Sequence, residues 1–132
     1  MIDLSKYKIL VIDDDPDMLV FVKTVLEDNG ASVFTAFDGI DGLKAAKIII
    51  PDLITLDLSM PEMDGGEVYQ AIRNDSEIMN IPVCIITGKP ELRGLIYSRT
   101  IPLPEGYMKK PVDEKTLLLN IRKILTLAQH KS

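Results

Sequence analysis

The chain has 132 residues, one domain's worth, with 46% hydrophobic and 27% charged residues; this balance excludes a disordered chain and suits one packed core. A net charge of −5 argues against direct nucleic-acid binding, which needs clustered Lys and Arg. One cysteine, Cys84, excludes an internal disulfide or a cysteine-based zinc cluster, and no run is long enough for a membrane span or reads as a signal peptide, so a soluble, cytoplasmic protein without membrane contact is expected.

Lys8–Ile12 (KILVI) predicts a buried strand. Pro16–Asn29 predicts a helix whose Met18, Phe21, Val22, Val25 and Leu26 fall on one stripe, with Gly30 placed to end it. A short strand follows at Ser32–Ala36, then a helix at Gly39–Ile48 stopped by Pro51, then a strand at Leu53–Leu56. Asp64-Gly-Gly-Glu67 has the form of a capping box for a helix through Arg73. Pro82–Thr87 predicts the fourth strand, Pro90 to about Arg99 the fourth helix, and Gly106–Met108 a short fifth strand. Asp113 caps a last helix through about Ala128, with Leu117, Leu118, Ile121, Ile124, Leu125 and Ala128 inward.

Five βα units in succession predict an α/β, doubly wound (βα)5 fold of the flavodoxin-like type, a five-stranded parallel sheet with helices on both faces. A single domain over 1–132, with its core at about 7–128, is expected. Sites in such sheets form beyond the carboxyl ends of the strands. There the sequence puts Asp13, Asp14 and Asp15, then Asp57, then Thr87, then Lys109 and Lys110 before Pro111. Two carboxylates about 5 Å apart repel by roughly 3 kcal/mol at an effective dielectric of 20. Such a cluster calls for a hard cation, and Mg²⁺ takes carboxylates together with phosphate oxygens. Carboxylate, cation, ammonium and hydroxyl together suit phosphoryl transfer to an aspartate.

The segments ILVIDDDPD, DLITLDLSMPEMDG, PVCIITGK and GYMKKP, in this order, resemble the signature blocks of response-regulator receiver domains of two-component systems. The resemblance implies that Asp57 is the phosphoacceptor. It implies that Asp14 holds Mg²⁺ directly and Asp13 largely through water, with Asp57 and the main-chain carbonyl of Ser59 completing the protein ligands. It assigns Thr87 as the switch hydroxyl, Lys110 as the phosphate-facing lysine before a cis proline, and Tyr107 as the ring that moves with Thr87. The partners implied are a sensor histidine kinase or histidine phosphotransfer protein, and a downstream protein reading the face of the fourth helix, fifth strand and last helix. A homodimer is compatible with it. On this reading the chain is not an enzyme beyond self-catalysed phosphoryl transfer and autodephosphorylation.

Two features depart from that pattern or tune it. Pro102 and Pro104 forbid a continued helix in RGLIYSRTIPLPEG (93–106), so an irregular connection to the fifth strand is expected. Ser59 and Lys89 occupy positions that in this family tune phosphoryl lifetime.

Blander and rival readings stand beside these. Asp15 before Pro16 reads as a helix cap, Cys84 as a small core residue, Lys109 as an exposed charge and His130 as part of a polar terminus. A small Mg²⁺-dependent phosphatase of the haloacid-dehalogenase type would use Asp13 and Asp15, but Asp17 stands where that motif has Thr or Val. A flavin site is disfavoured because acids, which repel phosphate, follow the first strand. A docking module that no longer uses phosphorylation is the third alternative.

Overall fold

The computed structural model describes residues 2–130. Its strands are β1 (Lys8–Ile12), β2 (Ser32–Ala36), β3 (Leu53–Leu56), β4 (Val83–Thr87) and β5 (Gly106–Lys109). All pair in parallel, in the spatial order β2-β1-β3-β4-β5. The helices are α1 (Pro16–Asp28), α2 (Gly39–Ile49), α3 (Gly65–Arg73), α4 (Gly94–Tyr97) and α5 (Glu114–Gln129), with 3₁₀ turns at Leu4–Lys6 and Pro90–Arg93. The strand order reverses between β1 and β3, which opens a crevice at their carboxyl ends.

Two apolar clusters lie on opposite faces of this sheet, because successive strand residues point to opposite sides. Ile9, Val11, Leu53, Cys84 and Ile86 pack with Val22 and Leu26 of α1 and Leu117 and Ile121 of α5. Leu10, Ile12, Ile54, Leu56 and Ile85 pack with Ala46 of α2 and Val68 and Ile72 of α3. Both faces of β3 and β4 are covered, and every residue of these strands is buried. Edge strand β2 is covered less completely, and Phe34 stays partly exposed. Leu19 joins Val22, Val25 and Leu26 in the buried face of α1, whereas Met18 and Phe21 of the predicted stripe are only half-buried. In α5, Leu117, Ile121, Ile124 and Leu125 are buried, and Leu118 and Ala128 half-buried.

The caps follow the sequence. Asp15 accepts from the Asp17 N–H at 3.0 Å with Pro16 in the first turn of α1, and Asp113 accepts from the Thr116 N–H at 2.7 Å. At α3, Asp64 accepts from the Glu67 N–H at 2.9 Å while Glu67 accepts from the Asp64 N–H, a full capping box. Each such cap contributes about 1 kcal/mol. Gly30, at φ +99°, turns the chain from α1 towards β2 in a conformation that other residues rarely adopt.

The fourth helix is shorter than the sequence predicts. A 3₁₀ turn over Pro90–Arg93 leads into a single α turn that ends at Tyr97, not near Arg99. The stretch from there to β5 is irregular or extended, as the prolines require. A buried cation, Arg73, and its neighbour Tyr69 hold the far end of this stretch through Glu105 and Pro102. The Arg73 guanidinium donates to the Tyr69 hydroxyl (3.0 Å), to the Met79 and Ile81 carbonyls (3.2 and 2.7 Å) and to the Glu105 carboxylate (2.6 Å). Tyr69 in turn donates to the Pro102 carbonyl, and Glu105 accepts from the Val83 N–H at 2.7 Å. The segment before β5 is thus tied to α3 and β4 through one guanidinium. Arg73→Ala is expected to destabilise the protein by about 3 kcal/mol, the cost of opening a desolvated pair. Glu105→Gln should cost clearly less, since its oxygen can still accept both bonds. Urea unfolding of the two variants checks the ranking.

Candidate functional site

The strand ladder runs straight into the acids. The Asp13 N–H donates to the Ala36 carbonyl at 3.1 Å and the Asp57 N–H to the Ile12 carbonyl at 3.0 Å. Both side chains therefore leave from fixed backbone at the crevice between β1 and β3. The Lys110 N–H donates to the Thr87 carbonyl at 2.8 Å, which brings the end of β5 beside the end of β4. The Lys110–Pro111 peptide is cis, as the resemblance implies. Asp13, Asp57 and Thr87 are buried, Lys110 and Ser59 half-buried, and Asp14 exposed.

One carboxylate oxygen each from Asp13, Asp14 and Asp57 lie within 4.8 Å of one another. Lys110 Nζ sits 2.8 Å from Asp13 Oδ2 and 3.7 Å from Asp57 Oδ2, so its tighter ion pair is with Asp13. Asp13 Oδ1 accepts from the Asp15 N–H at 3.0 Å, which leaves both Asp13 oxygens engaged. Asp57 Oδ1 accepts a longer bond, 3.3 Å, from the Ser59 N–H. Thr87 Oγ1 accepts from the Lys89 N–H at 3.1 Å, within its own loop. Tyr107 borders a cavity of about 280 Å³ beside Thr87, whose walls include Pro90, Arg93 and Met108. The Tyr107 hydroxyl is buried without a hydrogen-bond partner among the described residues.

Gly65, the last residue of the DLITLDLSMPEMDG segment and the first of α3, packs directly against the site. A Cβ there would stand 2.3 Å from the Asp57 carbonyl oxygen and 2.5 Å from Leu58 Cα. Its N–H donates to the Leu58 carbonyl at 3.0 Å, so α3 starts directly against the backbone that carries Asp57. The signature segment ends on this glycine, but the reason for it, the contact between the start of α3 and the Asp57 backbone, is visible only in the fold. The blander readings agree with the geometry. Lys109 and His130 are exposed, and Cys84 is buried with its thiol pushed up to about 12, chiefly by burial.

Burial, and then the neighbouring Asp13 charge, push the Asp57 carboxyl up to about 6 against the opposing pull of Lys110. Burial disfavours the Lys110 charge, yet its hydrogen bond to Asp13 and the nearby Asp57 outweigh this and raise its pKa. Three ionised carboxylates against one ammonium leave two negative charges in excess, all on hard oxygen donors. The three carboxylate oxygens, within 4.8 Å of one another, are the hard donors that Mg²⁺ takes, directly or through water. The donor set therefore fits this cation.

Asp57 carries a folded-state pKa of about 6, above its ordinary 3.8. Its contribution to stability is thus full below pH ~4 and is lost as pH rises through ~6. In chelator, Asp57→Asn is expected to be more stable than the wild type at pH 7.5 by ~1–2 kcal/mol, a figure discounted for solvent screening. The advantage should shrink as pH falls towards 4. Thermal melts across that range check it, and an unchanged difference at both ends would contradict it.

Comparisons with known proteins agree with this arrangement. Residues 9–122 match the response regulator receiver domain family. The chain is 33% identical over 118 residues to the protein PilH of Pseudomonas aeruginosa, covering 89% of this chain and 97% of that one. It is 37% identical over 118 residues to the DNA-binding dual master transcriptional regulator RpaA of Synechocystis, and 32% identical over 129 residues to hybrid signal transduction histidine kinase D of Dictyostelium discoideum. These matches take in 89% and 96% of the chain but only 48% and 8% of the two relatives. Among solved structures, chemotaxis response regulator CheY4 of Vibrio cholerae superposes with a TM-score of 0.79 at 30% identity, over 89% of this chain and 97% of that one. From the family match, these relatives and the shared fold, the chain belongs to the response regulator receiver domains of two-component signal transduction.

Proposed function

We propose that residues 1–132 act as one receiver domain that accepts a phosphoryl group on Asp57. The observation that carries this reading is the convergence of Asp13, Asp14 and Asp57 within 4.8 Å, with Lys110 Nζ reaching both buried acids. Asp13 has both oxygens committed, to Lys110 and to the Asp15 N–H, while Asp14 is exposed. This division supports Asp14 and Asp57 as direct ligands of Mg²⁺, Asp13 as a ligand through water, and the Ser59 carbonyl as a neutral one. When bound, Mg²⁺ supplies positive charge to the phosphoryl oxygens.

An Asp57 carboxylate oxygen forms the new O–P bond in line as the P–N bond to a donor imidazole breaks, and the imidazole retains a proton. Lys110 is placed to follow the charge from the carboxylate to the phosphoryl oxygens. Thr87 exchanges its bond from the Lys89 N–H for donation to a phosphoryl oxygen. Phosphorylation adds about −1.5 to −2 charges and three acceptor oxygens, enough to bias a two-state element. Thr87 moving towards Asp57 enlarges the cavity beside Tyr107, whose ring can then enter. The surface of α4, β5 and α5 changes shape as a result and signals to a protein partner. The phosphodonor is a sensor histidine kinase or a histidine phosphotransfer protein, and the site of action is the cytoplasm. The reaction consumes one phosphoryl group per switch and is not turnover of an external substrate.

Intact-mass spectrometry after incubation with acetyl phosphate and Mg²⁺ tests the proposal. A phospho-adduct is expected in the wild type, absent in Asp57→Asn and absent in chelator. Lys110→Ala is expected to slow its formation by about 100-fold, the usual cost of removing one charge-stabilising donor. A folded wild type that stays unmodified, by adduct or by phosphate release, would leave a docking module in its place.

A further inference from the structure

The Tyr107 ring leans on the core beneath α4, and two side chains of the segment above it meet that ring. The Tyr97 ring stacks on it with centroids 5.9 Å apart and an interplanar angle of 28°. The Arg93 guanidinium carbon lies 5.7 Å from the Tyr107 centroid. The two residues are four apart, so one helical turn presents both to the same target. Arg93 Nε donates to the Pro90 carbonyl at 3.2 Å, and Arg99, just beyond, ties the turn to Gln70 of α3 through a side-chain hydrogen bond. The buried Tyr107 hydroxyl makes no well-formed hydrogen bond but lies within reach of the Tyr97 side chain, so Tyr97 bears on Tyr107 through ring and hydroxyl together, beside the cation–π contact of Arg93. The cavity beside Thr87 lies open next to the ring.

We propose that Tyr97 and Arg93 form a clamp that holds the Tyr107 ring out of the cavity beside Thr87, and so set the balance between the two switch states. Both are positioning residues, since neither reaches the carboxylate cluster. The inference rests on the phosphoacceptor reading for its consequence, but the clamp itself is a property of the unmodified protein. Its physical content is that the Tyr97 side chain and the Arg93 guanidinium together bear on the Tyr107 ring. Weakening the clamp favours the state in which Tyr107 fills the cavity, and phosphorylation, which is linked to that state, becomes faster.

Fluorotyrosine NMR of the full chain, with the Tyr107 signal assigned by Tyr107→Phe, reads the ring directly. In the unmodified protein, Tyr97→Leu and Arg93→Gln are each expected to move the Tyr107 signal, and the double variant to move it further. Tyr97→Phe, which keeps the stacked ring, should move it clearly less than Tyr97→Leu does. The rate of adduct formation from acetyl phosphate should rise about two- to fivefold in the double variant and by less in Tyr97→Phe. Arg93 is exposed and Tyr97 half-exposed, so the variants are expected to melt as the wild type does. A Tyr107 signal unmoved in the double variant overturns the clamp, as does a Tyr97→Phe signal displaced as far as that of Tyr97→Leu. Absence of an adduct from every protein would strike the phosphoacceptor reading, while the ring signal would still decide the clamp.

Discussion

Asp13 and Asp57 leave the ends of two adjacent strands with their side chains buried and facing a single ammonium, Lys110. Parallel pairing of β1 with β3 forces this proximity, since both acids follow the last paired residues of their strands. The excess negative charge makes the cluster a receptor for positive charge, and the rest of the site is arranged around it. Lys110 is held by the β4–β5 connection, and Gly65 lets α3 start against the Asp57 backbone. The raised pKa of Asp57 is the energetic sign of the same crowding. A nucleophilic carboxylate in such a setting is destabilised until a cation or a phosphoryl group with its bound cation redistributes the charge.

The opposite edge of β4 and β5 is governed by a second buried charge, of the other sign. Arg73 collects α3, the loop before β4 and the extended segment before β5 into one hydrogen-bonded unit. The segment before β5 is held where the Glu105 carboxylate accepts from Arg73 and the Pro102 carbonyl accepts from Tyr69. The short α4 acts as a local cover. Its two ring-facing residues, Tyr97 and Arg93, sit over Tyr107. A charge change at one end of β4 and β5 and a rigid tie at the other would confine the response to the residues between them.

The relatives place receiver domains in different company. The chain covers nearly all of PilH but about half of RpaA and a small part of the hybrid kinase. The receiver domain is the part these proteins share with this chain, in proteins of very different length. Residues 93–106, which run from the end of the 3₁₀ turn through the short α4 to β5, lie on the face proposed to carry output.

Much of this protein was legible in its sequence because the deciding physics is local or periodic. Apolar runs of four or five residues, the helix stripes and the Asp caps set the elements and their order, and the alternation of elements set the parallel sheet. The acids, Thr87 and Lys110 could be placed at one edge because each follows a strand. What the tertiary structure decided is how these groups meet. It paired Lys110 more closely with Asp13 than with Asp57, shortened the fourth helix to one turn, and buried Arg73 against Glu105 across 32 positions of sequence. It also revealed that Gly65 serves a close approach and that Tyr97 stacks on Tyr107. These contacts join residues distant along the chain, or depend on how an irregular segment settles on a finished core. Side-chain distance, desolvation and competing partners fix them, and none of the three has a period that a sequence can display.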